Sequence, residues 1–240
     1  MKKSTIFAAI TLIVIAFSIS SCEESKFPYN EFVTVLTKDG PGASDAQGYP
    51  YYFVTDDSLK LYPVNHTEYP KFKPEDNSRG LAYFYKVVSE EKTANAETDS
   101  YNIELFDFGN MLVKDVLLTE KADTTGKDKI TPLGIWFSGG KYGAKRMVNF
   151  RIQVLSNNLP VPHVVNLVKD IAKEGPAVDS EGYYTLDCRH NAGKNANGMY
   201  RIDDFIAFPL EEAMLEEGIV GLKITFDTLD EGVKEYKLEY

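Results

Sequence analysis

Cysteine is nearly missing from this chain: 240 residues hold two, Cys22 and Cys188. Cys22 closes an N-terminal leader, so Cys188 stands alone and an intramolecular disulfide is excluded in the mature chain. Stability must then come from burial and β-ladders. Histidine is also scarce, at three residues, His66, His163 and His190. None has a partner at metal-ligand spacing, and neither HExxH nor CxxC occurs, so scattered structural or surface histidines are expected and no metal. GxSxG and P-loop patterns are missing too. Positive charge is short: 26 Lys and Arg face 36 Asp and Glu, a formal charge of −10. Removing residues 1–21 takes away Lys2 and Lys3 and no acid, which deepens it to −12. That balance argues against nucleic acid and anionic headgroups, because each phosphate contact wants a cation.

The leader is the clearest feature present. Lys2 and Lys3 precede an apolar run from Ile6 to Phe17, about twelve residues, which suits a signal-peptide core and is too short to span a bilayer. Ile19-Ser20-Ser21-Cys22 follows and resembles a lipobox, which makes Cys22 the expected lipidation site. Glu23 and Glu24 next to it resemble an acidic sorting tag for surface display. The expected location is the outer membrane, facing the cell exterior, with the membrane as a partner through the lipid.

Beyond a tether over residues 22–30, strands are predicted nearly throughout. A first set covers Glu31 to Leu36, Tyr49 to Val54, Ser58 to Tyr62, Gly80 to Val88, Tyr101 to Phe106 and Met111 to Leu117. Tyr101, Ile103 and Leu105 alternate with Asn102 and Glu104, the period of a strand buried on one face. A small closed barrel over residues 31–119 fits this set. Thr119 to Lys129 is polar and predicted as a linker. A second set covers Leu133 to Phe137, Met147 to Leu155, His163 to Val168, Tyr183 to His190, Tyr200 to Phe208, Val220 to Phe226 and Tyr236 to Tyr240. These predict a β-sandwich over residues 130–240. A short helix is predicted from Leu210 to Glu217, between Pro209 and Gly218. The fold class is therefore all-β, a small barrel followed by a sandwich.

No constellation carries catalysis. Strand parity puts Tyr184, Leu186, Cys188 and His190 on one face, which makes Cys188 a small buried hydrophobe before it is a nucleophile. Paired acids such as Asp56-Asp57 point to opposite sides of a strand and do not define opposed hydrolase carboxylates. The Asn- and Gly-rich stretch His190 to Gly198 suits a hairpin connection. Its functional reading is a ligand loop, with Arg189, His190, Asn191, Asn195 and Asn197 as candidate binding residues.

The order of several segments carries a resemblance. Leu59-Lys60-Leu61-Tyr62-Pro63-Val64, Asp115-Val116-Leu117-Leu118-Thr119, and Leu186-Asp187-Cys188-Arg189-His190-Asn191-Ala192 followed by Phe205-Ile206-Ala207-Phe208 stand behind the lipobox and acidic tag. Together they resemble the NigD-like lipoproteins of Bacteroidota-type bacteria. The resemblance implies an OB-like N-terminal barrel, a C-terminal β-sandwich and no cofactor, and it supplies no catalytic residues. The expected function is a surface-anchored, non-enzymatic lipoprotein that binds a protein or glycan partner. The alternative is a bacteriocin-immunity or envelope-protective structural lipoprotein.

Overall fold

The computed structural model describes residues 28–37, 48–68, 72–87, 100–157, 162–172 and 177–240. Cys22, Glu23 and Glu24 lie outside them, as does most of the turn-rich loop before Gly48. The first half builds β1 (Tyr29–Thr37), β2 (Tyr51–Thr55), β3 (Lys60–Pro63), β4 (Arg79–Lys86) and β5 (Ser100–Val113). β1 pairs antiparallel with β2 and β4, β2 with β3, and β4 with β5. β3 closes the ring by pairing parallel with β5. This is the strand order of an OB-type barrel.

The barrel wall explains its hydrophobic runs. Val33, Val35, Tyr51, Phe53, Leu61, Ala82, Phe84, Ile103 and Leu105 fill the interior. Leu36, Tyr52, Val54 and Tyr62 point outward yet are also covered, packing with Ala144 from beyond the barrel. A strand covered on both faces cannot alternate, which is why β2 reads Tyr-Tyr-Phe-Val. The two strands expected at Tyr101 to Phe106 and Met111 to Leu117 are one long strand up to Val113. Its register against β4 shifts between Tyr83 and Phe84, leaving Phe106 unpaired and 58% exposed. A bulge of this kind bends a strand without ending it. Gly80, opposite Asn110, makes room for the Phe108 ring, which would lie 2.3 Å from a Cβ there.

The second half builds β6 (Leu117–Thr119), β7 (Thr131–Ser138), β8 (Met147–Ser156), β9 (Val164–Asp170), β10 (Tyr183–Asn191), β11 (Tyr200–Pro209), β12 (Gly221–Thr228) and β13 (Gly232–Glu239). One sheet orders β13-β12-β10-β9-β6, and it faces β11, β8 and β7. The end of β5 pairs parallel with β11 through Leu112 and Val113, so barrel and sandwich share one continuous sheet. Val148, Phe150, Ile152 and Val154 meet Leu186, Cys188, Leu222, Ile224 and Phe226 between the layers. Each fully buried phenylalanine there contributes about 1.5–3 kcal/mol.

Three expectations need correction. Thr119 to Lys129 does not link two separate bodies. Leu117 to Thr119 pairs with β9, Val116 and Ile130 belong to the sandwich core, and Asp128 and Ile130 donate backbone bonds to His190 and Asp227. Its charges face solvent while its backbone is stitched down, so polarity alone misread it. The sandwich core already includes Val116, ahead of the expected boundary, and β6 adds a strand to the sandwich. The predicted helix from Leu210 to Glu217 is a single 3-10 turn at Glu212–Met214. Met214 is buried and Tyr240 bonds its carbonyl at 2.7 Å, so tertiary contacts set that segment.

Candidate functional site

β10 carries most of the residues that the sequence singles out. Its parity holds: Tyr184, Leu186, Cys188 and His190 are buried, and Arg189 turns the other way. Cys188 is 4% exposed, and burial pushes its thiol above the ordinary range, so it stays protonated. Both ring nitrogens of His190 are occupied, leaving neither free to serve as its base. Nδ1 donates to the Lys129 carbonyl at 3.0 Å, and Nε2 meets His163 Nδ1 at 3.0 Å.

That geometry fixes the tautomers. A carbonyl only accepts, so His190 Nδ1 holds the proton and a neutral His190 has Nε2 as acceptor. His163 Nδ1 must then donate, which leaves His163 Nε2 as a bare lone pair, buried and with no partner among the described residues. The rings stack with centroids 5.2 Å apart and 18° between planes. Burial is the main cause that holds both imidazoles below their usual pKa. No local pattern marks this pair, because β9 and its connection to β10 separate its members.

The five candidate ligand residues do not converge. Arg189 pairs with Asp187 at 3.2 Å and lines a cleft of about 380 Å³ with Lys127, Thr225 and Asp227. His190 faces inward. Asn191 is exposed and accepts the Gly193 N–H at 2.9 Å. Asn195 is fully buried and accepts the Asn157 N–H at 3.1 Å, a structural task. Asn197 is exposed. Among the described residues, no group of three or more His, Cys, Asp or Glu is placed to hold a metal.

A larger concavity lies where the two cores meet. It is a groove of about 740 Å³. Phe108, Met111, Val113 and Met147 line it with apolar surface, and Lys73, Glu75, Asp76, Asp107, Asp115 and Lys145 line it with charge. Two bonds hold its rim in place, one across the junction and one within the barrel. Asn77, at φ +56°, accepts the Lys145 N–H at 2.8 Å, and Asp76 accepts the Thr37 N–H at 2.9 Å. Sequence reading missed this groove; the one local signal was the polar Glu75-Asp76-Asn77-Ser78 run ahead of a strand.

Beneath the same junction lies a buried ion pair. Arg79, at 0% exposure, grips Asp56 through two bonds of 2.6 and 3.0 Å and reaches Thr34 at 3.2 Å. Trp136 of β7 donates to the same carboxylate at 2.7 Å. Its ring packs on Phe32, which also meets Phe205. One acid thus ties the barrel to the sandwich.

Comparison with known proteins places this architecture. Residues 114–240 match the NigD-like C-terminal beta sandwich domain. A protein of unknown function from Bacteroides vulgatus is similar in structure, at 21% identity and TM-score 0.65, over 89% of this chain and 91% of that one. A NigD-like immunity protein from Bacteroides caccae follows at 16% identity and TM-score 0.57, over 88% and 96%. A candidate lipoprotein from Bacteroides fragilis shares 16% identity at TM-score 0.54, over 89% and 98%. At such identities the likeness is one of fold. No curated protein matches the chain.

Proposed function

This chain belongs to the NigD-like family, and on that premise we propose that it is a lipid-anchored, non-enzymatic envelope protein that binds a partner protein in the groove between its two cores. The groove carries the reading. Its apolar lining offers area to bury, its charged rim offers direction, and bonds across the junction pre-organise it, which lowers the cost of binding. Four carboxylates and two lysines line it, so a segment bearing Lys or Arg beside an apolar side chain fits best. Cys22 supplies the anchor, and Glu23 and Glu24 direct the chain to the outer face of the outer membrane.

The test is photo-crosslinking on intact cells. A photoreactive residue at Asn110, in the groove, is expected to capture one polypeptide, and one at Lys234, on β13, is not. Asp107→Lys with Asp115→Lys should abolish that adduct, and Cys22→Ala should release the protein from the membrane. Equal capture at both positions, or an adduct indifferent to the charge reversal, sinks the groove reading. A glycan bound in the groove and lost in the same double variant would replace the protein partner with a sugar.

A further inference from the structure

His163 stands just ahead of β9, and His190 lies near the end of β10, where Val165 is its cross-strand partner. Two further ties meet at this end of the sandwich. The Asp128 N–H donates to the His190 carbonyl at 2.9 Å, and the Asp128 carboxylate accepts the Ala192 N–H at 2.7 Å. Gly126 lets the 126–129 segment come this close: it sits at φ +128°, and a Cβ there would fall 2.2 Å from the His190 carbonyl oxygen. Under these ties lies a pocket of about 220 Å³ whose lining includes Leu155, Ala192, Ala196 and Leu229.

We propose that the His163–His190 pair is an acid-operated latch. Neutral, it holds the start of β9 and the 192–197 loop against the 126–129 segment; protonated, it lets that end open onto the pocket. An N–H···N bond needs one proton between two nitrogens. The first added proton goes to His163 Nε2, the one free lone pair, and creates a cation at a buried atom with no acceptor. The second goes to His190 Nε2, where two N–H groups would then face each other across 3.0 Å. That bond cannot survive. Asp128 and Asp204 favour the first proton. Lys127, Lys129 and Arg201 also line the pocket beside His190, with Arg201 paired to Asp230 and Lys127 to Asp123. Arg189 and Asp187 pair on the far face of β10 and leave the balance unchanged. The hydrogen-bond change thus follows protonation of the two imidazoles, which burial holds below their ordinary range.

Amide hydrogen exchange on the mature chain tests this. Rates at about pH 7.5 and about pH 5, corrected for intrinsic exchange, compare the two protonation states. Protection of Val164 to Asn166 and Ala192 to Gly198 should fall about tenfold or more in acid, while the β12–β13 hairpin stays unchanged. His163→Gln keeps an amide donor for His190 Nε2 and removes one titrating group, so most of the acid response should vanish. Equal protection at the two pH values in wild type overturns the latch, and that measurement needs no variant. A His163→Gln chain that opens in acid as wild type does overturns it as well.

Discussion

Arg79 and His190 are equally hidden, at 0% and 1% exposure, yet their clusters satisfy burial in opposite ways. Around Arg79 the charge is already present and already matched: a guanidinium, a carboxylate and an indole donor close on one another across the two cores. Between His163 and His190 neither partner carries a charge, and the bond depends on His190 Nε2 keeping its lone pair. A buried ion pair costs desolvation at folding, and its own attraction and hydrogen bonds offset that cost. A buried neutral pair avoids that cost and becomes sensitive to acid instead. The molecule uses the first at the fixed junction between cores and the second at a loop-bearing end of one sheet.

The contrast is broken most severely at Asp56. Asp56→Ala leaves Arg79 buried without a counterion and should cost about 3–5 kcal/mol in urea unfolding. Trp136, the single tryptophan, should report the loss through its fluorescence. Arg79→Met should cost less, about 1–3 kcal/mol, because Asp56 is 20% exposed and regains water. Combining the two should cost less than the sum of the single effects. If Arg79→Met costs as much as Asp56→Ala, burial asymmetry is not what governs this pair.

Trp136→Phe sharpens the same point at smaller scale. The ring contact with Phe32 survives, and the indole bond to Asp56 is lost. A charge-assisted bond of this kind supports a loss of about 1–2 kcal/mol, read by circular dichroism since the fluorophore is gone. No change would mean that the indole bond adds nothing to the junction, which the β5–β11 pairing and the Lys145–Asn77 bond would then hold.

How much of this was legible in the sequence depended on distance along the chain. Alternation in Val148 to Val154 and in Tyr183 to His190 gave strands, faces and the burial of Cys188, because period two is a local property. The barrel and sandwich order followed from strand spacing. Asp56 was read only as half of an adjacent acid pair, since its partners Arg79 and Trp136 lie 23 and 80 residues away. The His pair was read as scattered for the same reason, at a separation of 27 residues. The groove belongs to neither core alone, and no local pattern encodes a surface that two cores make by meeting. Phe106 and the Thr119 to Lys129 run misled because exposure was taken for the end of structure: one is a bulge, the other a packed segment with charged side chains turned outward.

The gentlest perturbation separates the two clusters by sign. His163→Gln should cost under about 1 kcal/mol at neutral pH, since an amide donor replaces a neutral imidazole donor on a partly exposed side chain. Its effect shows as pH falls. Both imidazoles have folded-state pKa values below the ordinary one. Between those values and an unfolded pKa of about 6.5, the unfolded chain binds more protons than the folded one. Stability conferred by the neutral pair is therefore complete above that unfolded value and declines as pH drops through it toward the folded pKa values. Removing one titrating ring should flatten the decline. Denaturant midpoints measured from about pH 8 to about pH 5 would show a shallower slope for His163→Gln than for wild type, and a slope unchanged by Trp136→Phe. A wild-type chain whose midpoint rises as pH falls would reverse the sign and remove the neutral-pair account of this end of the sheet.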